Sequence, residues 1–107
     1  MIKVVYHKKY NRVTVEGHAG SGPEGHDLVC AAVSTLALTL AGNVSYLEAQ
    51  EAVHGVITKL EEGSAEIQCT PYRRYKDSVA LIYGAICAGF ELLATKYPDN
   101  IFYEIVG

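Results

Sequence analysis

The sequence contains no linker, low-complexity tract, charge block or internal repeat, so nothing divides its 107 residues into more than one domain. The N-terminus, MIKVVYHKKY, lacks the long apolar core of a signal peptide. The longest apolar-rich stretch, residues 79–94, is interrupted by Gly84, Gly89 and Glu91, and is read as a buried helix too short to span a bilayer. Net positive charge is also missing. The formal charge is -3, and the only local basic cluster is Arg73, Arg74 and Lys76. Phosphate binding needs a basic surface, so no direct nucleic-acid partner is expected. Three cysteines, Cys30, Cys69 and Cys87, form no CxxC and no paired spacing. That argues against a disulfide framework and a zinc site, and for reduced thiols in a cytoplasmic protein. Two of the three are expected in the core, where a free cysteine packs as a small hydrophobe.

Periodicity supplies the elements. Residues 2–7 and 12–18 alternate around a polar KKYN turn, which predicts a β-hairpin with Ile2, Val4, Tyr6, Val13 and Val15 inward. Strict alternation puts His18 beside Thr14 and Glu16, away from the core, although Gly17 can bend the strand end. A loop follows, rich in Gly20, Gly22, Pro23 and Gly25. Asp27 then reads as a helix N-cap. Val29, Val33, Leu36, Leu40, Val44 and Leu47 recur at spacings of three and four, one helical stripe that Gly42 interrupts. Residues 55–60 and 65–70 form a second hairpin around EEGS, with Cys69 inward. Asp77 or Ser78 caps a second helix, whose stripe is Val79, Ile82, Ile86, Phe90, Leu93 and Tyr97, with Cys87 at its edge. Pro98 stops it, and residues 101–106 make a last strand. The order β-β-α-β-β-α-β implies an α+β fold: a mainly antiparallel sheet with two amphipathic helices packed on it.

The stretch EGHAGSGPEGHDLVCAA concentrates the chemistry. With Asp27 as cap, Cys30 falls in the first helical turn, near free amides and the positive end of the helix dipole. That setting favours the thiolate, the nucleophilic form of cysteine. Cys30 is about 100° round the helix from Val29, on the flank of the apolar stripe, and Ser34 lies one turn further on the same flank. A cysteine nucleophile needs a basic partner. His18 and His26 are candidates, and His18 is preferred because a strand end positions a side chain better than a glycine-rich loop. His7 and His54 have no chemical neighbours in sequence. An apolar helix with a cysteine near its start is commonplace, so spacing alone does not establish catalysis. The glycine loop is not a P-loop: it lacks the GxxxxGK[ST] spacing and has no lysine.

VEGHAG followed by DLVCAAVSTLALT resembles the ribosomal-processing cysteine protease family, Prp or YsxB-like. The shared pattern is a GHA element at a strand end, a glycine-containing loop, and a D-[IL]-V-C-A-A-[VI]-S element opening a helix. His18 and Cys30 lie twelve positions apart within it. The resemblance implies a bacterial cytoplasmic Cys-His protease working as a homodimer; no metal or cofactor is expected. Cys30 matches the nucleophile and His18 the catalytic histidine. Asp27 and Ser34 match recurrent acidic and hydroxyl positions, and Gly20, Gly22 and Gly25 would make the loop a movable cover. The implied substrate is the N-terminal extension of large-subunit ribosomal protein L-twenty-seven. Relatives in prophage-like contexts imply a capsid or scaffold protein instead. Two segments depart from the family pattern: SGPEGH in the loop, and the basic, aromatic connector TPYRRYKD. Two readings outside proteolysis are a non-enzymatic ribosome-associated binding dimer and a thiol-regulatory protein using Cys30. The acidic balance disfavours the first, and the second lacks a nearby resolving cysteine in sequence.

Overall fold

Alternation along the first two strands sets the core. In β1 (Ile2–His7) the buried positions are Ile2, Val4 and Tyr6, and in β2 (Arg12–Glu16) they are Val13 and Val15. Both strands send every second side chain to one face, as the pleat requires. The computed structural model describes residues 1–17 and 26–107, with His26 and Asp27 described in their backbone only. After β2 come α1 (His26–Ala49), β3 (Val53–Glu61), β4 (Ser64–Pro71), α2 (Lys76–Lys96) and β5 (Ile101–Val106). The element order is the one expected from the sequence.

The sheet order is β3-β4-β2-β1-β5. Only β1 and β5 pair in parallel; the other three neighbours are antiparallel. This makes β2 parallel to β3 and β4 parallel to β5, each pair separated by intervening strands. Parallel strands need a long crossover, and the two helices provide it at 24 and 21 residues. Both lie on one face. Val29, Val33, Ala37, Leu40, Ala41 and Val44 of α1 bury against the sheet, as do Val79, Tyr83, Cys87 and Phe90 of α2. Full burial of side chains such as Leu40 and Phe90 contributes roughly 1.5–3 kcal/mol each. Where the helices meet, Leu36 occupies the space that a side chain on Gly89 would need: a Cβ there would stand 2.9 Å from it.

The structure corrects four details. The α1 helix begins at His26, so Asp27 falls inside its first turn instead of capping it. Gly42 does not end α1, which runs on to Ala49; seven further residues of helix packed on the sheet outweigh a propensity cost of about 1 kcal/mol. The α2 helix begins at Lys76 with Tyr75 at its N-cap and no side-chain cap, so neither Asp77 nor Ser78 serves as one. Its stripe is centred on Tyr83 and Cys87, with Ile82, Ile86 and Leu93 only half buried. Tyr83 is fully buried because its hydroxyl donates to the Ile67 carbonyl oxygen at 3.2 Å, which satisfies the polar tip.

Helix length is a further difference. Leu28–Ala49 and Arg73–Lys96, each of hydropathy 1.7, are by length and composition long and apolar enough to cross a membrane. The shorter stretch expected from sequence omitted the polar turns at each end. In the fold, both helices bury one face on the sheet instead.

Candidate active site

One end of the sheet carries the cleft that matters. It encloses about 470 Å³. The first half of α1 forms one wall with Cys30, Ser34 and Leu38, and the tip of the β3–β4 hairpin forms the other with Leu60, Glu61, Glu62, Gly63 and Ser64. Ile2, Val15, Val33, Ala37 and Ala65 make an apolar floor, and Gly17 stands at the end of β2.

Cys30 sits where its helical angle predicts. Its neighbour Val29 is fully buried, and Cys30 is half exposed beside it. Ser34, one turn on, is exposed and lines the same cleft. The other two thiols are sealed in the core, Cys69 at 0 % and Cys87 at 2 % exposure. Burial pushes the Cys87 thiol up to about 12 and raises Cys69 as well, with partial relief from the Tyr103 and Tyr83 hydroxyls respectively. Both are held as neutral thiols. All three cysteines are free, and Cys30 is the one that a molecule in the cleft can reach.

The helix start alters one expectation. Because α1 begins at His26, Cys30 lies a full turn inside it and its amide is an intrahelical donor to the carbonyl four residues back. The free amides belong to the residues one turn earlier.

Gly17 holds the end of β2 in a conformation that other residues avoid. Its φ is +110°, and a Cβ would stand 2.3 Å from the Met1 carbonyl oxygen. Its amide donates to the Gly63 carbonyl oxygen at 3.0 Å. Next to it, Ser64 Oγ donates to Glu16 Oε1 at 3.1 Å. These two bonds tie the hairpin tip to the end of β2 and so hold that wall of the cleft in place. β2 ends at Glu16, and Gly17 after it has a positive φ. His18, Gly20, Gly22 and Gly25 lie outside the described residues, as do the side chains of His26 and Asp27. His7 ends β1 half buried, and His54 lies on β3 with its ring 4.7 Å from that of Tyr72. Among the described residues, no group of three or more His, Cys, Asp or Glu is placed to hold a metal ion.

Sequence reasoning missed the hairpin wall. EEGS was read only as a turn, and its approach to Cys30 depends on strand order. Leu38 gave a usable signal: it falls off the apolar stripe and is 59 % exposed, which places a large apolar side chain on the cleft rim.

The family model of the cysteine protease Prp matches residues 1–102. No curated protein matches the chain. Among solved structures, SMU.848 from Streptococcus mutans is 29 % identical, covers 98 % of this chain and 91 % of its own, and has a TM-score of 0.67. The essential ribosomal processing protease Prp from S. aureus in complex with a substrate peptide is similar at 17 % identity, with 97 % and 96 % coverage and a TM-score of 0.70. The same S. aureus protease with a covalently linked product peptide gives 18 % identity, the same coverage and a TM-score of 0.68. At these identities the S. aureus likeness shows the shared fold.

Proposed function

This chain belongs to the cysteine protease Prp family, and from that premise we propose that it is a ribosomal-processing endopeptidase whose nucleophile is Cys30. One observation carries the reading: Cys30 is the single half-exposed thiol, and it shares its cleft with Gly17, the residue that leads into His18. The likeness in fold to a protease crystallised with a peptide supports it.

In this mechanism the Cys30 thiolate attacks the scissile carbonyl, and His18 as imidazolium protonates the leaving amine. Water then hydrolyses the thioester with His18 as base. Backbone amides at the start of α1, ahead of Cys30, stabilise the oxyanion. Asp27, inside the first helical turn, fixes that start and polarises His18. Ser34 supports the flank on which Cys30 sits. Gly20, Gly22 and Gly25 give the intervening segment the freedom to admit a peptide and cover it. The substrate is the N-terminal extension of ribosomal protein L-twenty-seven, processed in the cytoplasm. An extended peptide fits a cleft of this volume with apolar side chains against Leu38 and Leu60.

The working form is a homodimer. The outer face of α2 supports this, since Leu81 and Leu92 are 75 % and 71 % exposed. They share that face with Gly84, Ala85 and Ala88, at helical spacing.

The test is a peptide panel. N-terminally extended L-twenty-seven peptides and phage capsid or scaffold peptides are incubated with the protein. Cleavage of the ribosomal peptide within its extension is expected. Selective cleavage of capsid peptides would overturn the ribosomal substrate while leaving the chemistry intact.

A further inference from the structure

The fold gathers most of the chain's cations at the pole opposite Cys30. Two segments far apart in sequence meet there: HKKYNR at residues 7–12 and YRRYK at residues 72–76. The first forms the β1–β2 connection, with a 3-10 turn over Lys8–Tyr10 and Asn11 in the left-handed region at φ 47°. The second follows β4, with a 3-10 turn over Arg73–Tyr75. The Asn11 carbonyl oxygen accepts from the Cys69 amide at 3.2 Å, which draws the turn against the end of β4 where the second segment begins. Five of the nine Lys and Arg residues are collected here: Lys8, Lys9, Arg73, Arg74 and Lys76. The Cys30 cleft is at the other end of β1, a six-residue strand, so the two poles are about 20 Å apart.

All five cations are exposed, and none pairs with a carboxylate among the described residues. Glu66 is taken up by Arg12 at 2.6 Å, and other acids flank the patch. Asp77 follows Lys76 in the first turn of α2, and Glu48 and Glu51 border Tyr72 on its far side. Aromatic rings are interleaved with the charges. Tyr10 and Tyr72 are 58 % and 50 % exposed. Lys9 Nζ lies 5.9 Å from the Tyr10 ring centre, and the Arg74 guanidinium 5.3 Å from that of Tyr75. Between the segments is a cavity of about 410 Å³, lined by Lys9, Arg73 and Lys76 with Asn11, Gln68 and Thr70 as polar partners. The α2 helix starts at its edge without a side-chain cap, so its first amides add partial positive charge.

We propose that this pole, formed by Lys8–Tyr10 and Arg73–Lys76, is a docking surface for single-stranded nucleic acid. Unpaired cations track phosphates, and exposed tyrosines stack unpaired bases; this combination is the one that binds single strands without sequence preference. The overall charge of -3 pointed the other way. It averages over both poles, whereas phosphates respond to charges within a Debye length of about 8 Å. An acidic polypeptide would meet the cations but would leave the exposed rings unused.

Fluorescence anisotropy tests this with the full-length protein, labelled twelve-nucleotide oligouridylate and oligothymidylate, and a labelled poly-aspartate of equal charge. Binding near 10⁻⁵ M is expected at 50 mM salt. With three to five phosphates engaged, the slope of log K against log salt is about -2 to -3.5. Arg73→Gln with Arg74→Gln, and Lys8→Gln with Lys9→Gln, each weaken binding about tenfold or more and flatten that slope. Tyr10→Ala weakens binding and leaves the slope unchanged. The melting temperature and peptide cleavage stay as in the wild type, since these side chains are exposed and remote from Cys30. Tighter binding of the uridylate than the thymidylate assigns RNA as the source, and the reverse assigns DNA. The proposal is overturned by no binding of either strand at 50 mM salt, by variants that bind as the wild type does, or by poly-aspartate binding equally well.

Discussion

Gly17 and Cys30 line one cleft although they stand on a strand end and on a helix, thirteen positions apart. The glycine is tied to the Gly63 carbonyl of the β3–β4 hairpin, so the hairpin and the strand end form one wall opposite the cysteine.

Replacing Gly17 should therefore damage both stability and activity. Gly17→Ala would strain a positive φ and drive a Cβ into the Met1 carbonyl oxygen. The expected loss is at least ~1–3 kcal/mol, about 4–8 °C in Tm per kcal/mol for a domain of this size. Gly42 is the opposite case, in a helix with nothing near an added Cβ. Gly42→Ala should raise stability by up to ~1 kcal/mol. Thermal unfolding of the two variants checks the contrast, and a stable Gly17→Ala would contradict it.

Thiol accessibility gives a second outcome. A maleimide at neutral pH should label Cys30 in the native protein and all three cysteines in denaturant, because Cys69 and Cys87 are buried and held neutral. Mass spectrometry of the digested adduct reads the sites. Comparable native labelling of Cys69 or Cys87 would contradict the packing.

Alkaline pH should destabilise the fold. Burial raises the Cys87 thiol from 9.0 to about 12, and burial raises Tyr6, Cys69, Tyr83 and Tyr103 in the same direction. The native state therefore keeps protons that the unfolded chain has lost. The stability contributed by Cys87 is complete below pH 9 and declines as pH rises toward 12. One such group gives at most about 1.4 kcal/mol per pH unit. Urea titrations at rising pH should show the decline, with a shallower slope in Cys87→Ala. A flat profile across this window would count against it.

Dimerisation through the outer face of α2 makes a separate prediction. The wild type should sediment as a dimer at micromolar concentration, and Leu81→Lys with Leu92→Lys as a monomer of unchanged helix content. A dimer that survives both substitutions would move the interface elsewhere.

Much of this was legible in the sequence, for identifiable reasons. Val13 and Val15 alternate with polar neighbours, and Val29, Val33 and Leu40 repeat at helical spacing, so local physics sets the strands and helices. The flank position of Cys30 followed from one rotation about the helix axis. The hairpin wall was hidden because it depends on β4 lying between β2 and β3, a non-local choice. Tyr83 was hidden because its burial depends on a partner, the Ile67 carbonyl, sixteen residues away. The basic pole was visible only as isolated runs; the Asn11–Cys69 hydrogen bond joins them. His18 and the glycines after it lie outside the described residues, and Gly17 is their nearest described neighbour.

In the proposed mechanism Cys30 forms a covalent bond to the substrate during cleavage. Acid quenching during turnover of the extended ribosomal peptide, followed by intact-mass and peptide mapping, tests it directly. The expected result is an acyl adduct of the N-terminal cleavage fragment on Cys30. The adduct is absent in Cys30→Ala, whose cleavage rate falls by at least ~10³-fold, and present in Cys69→Ala. Cleavage by Cys30→Ala at the wild-type rate, or an adduct on another residue, would contradict it.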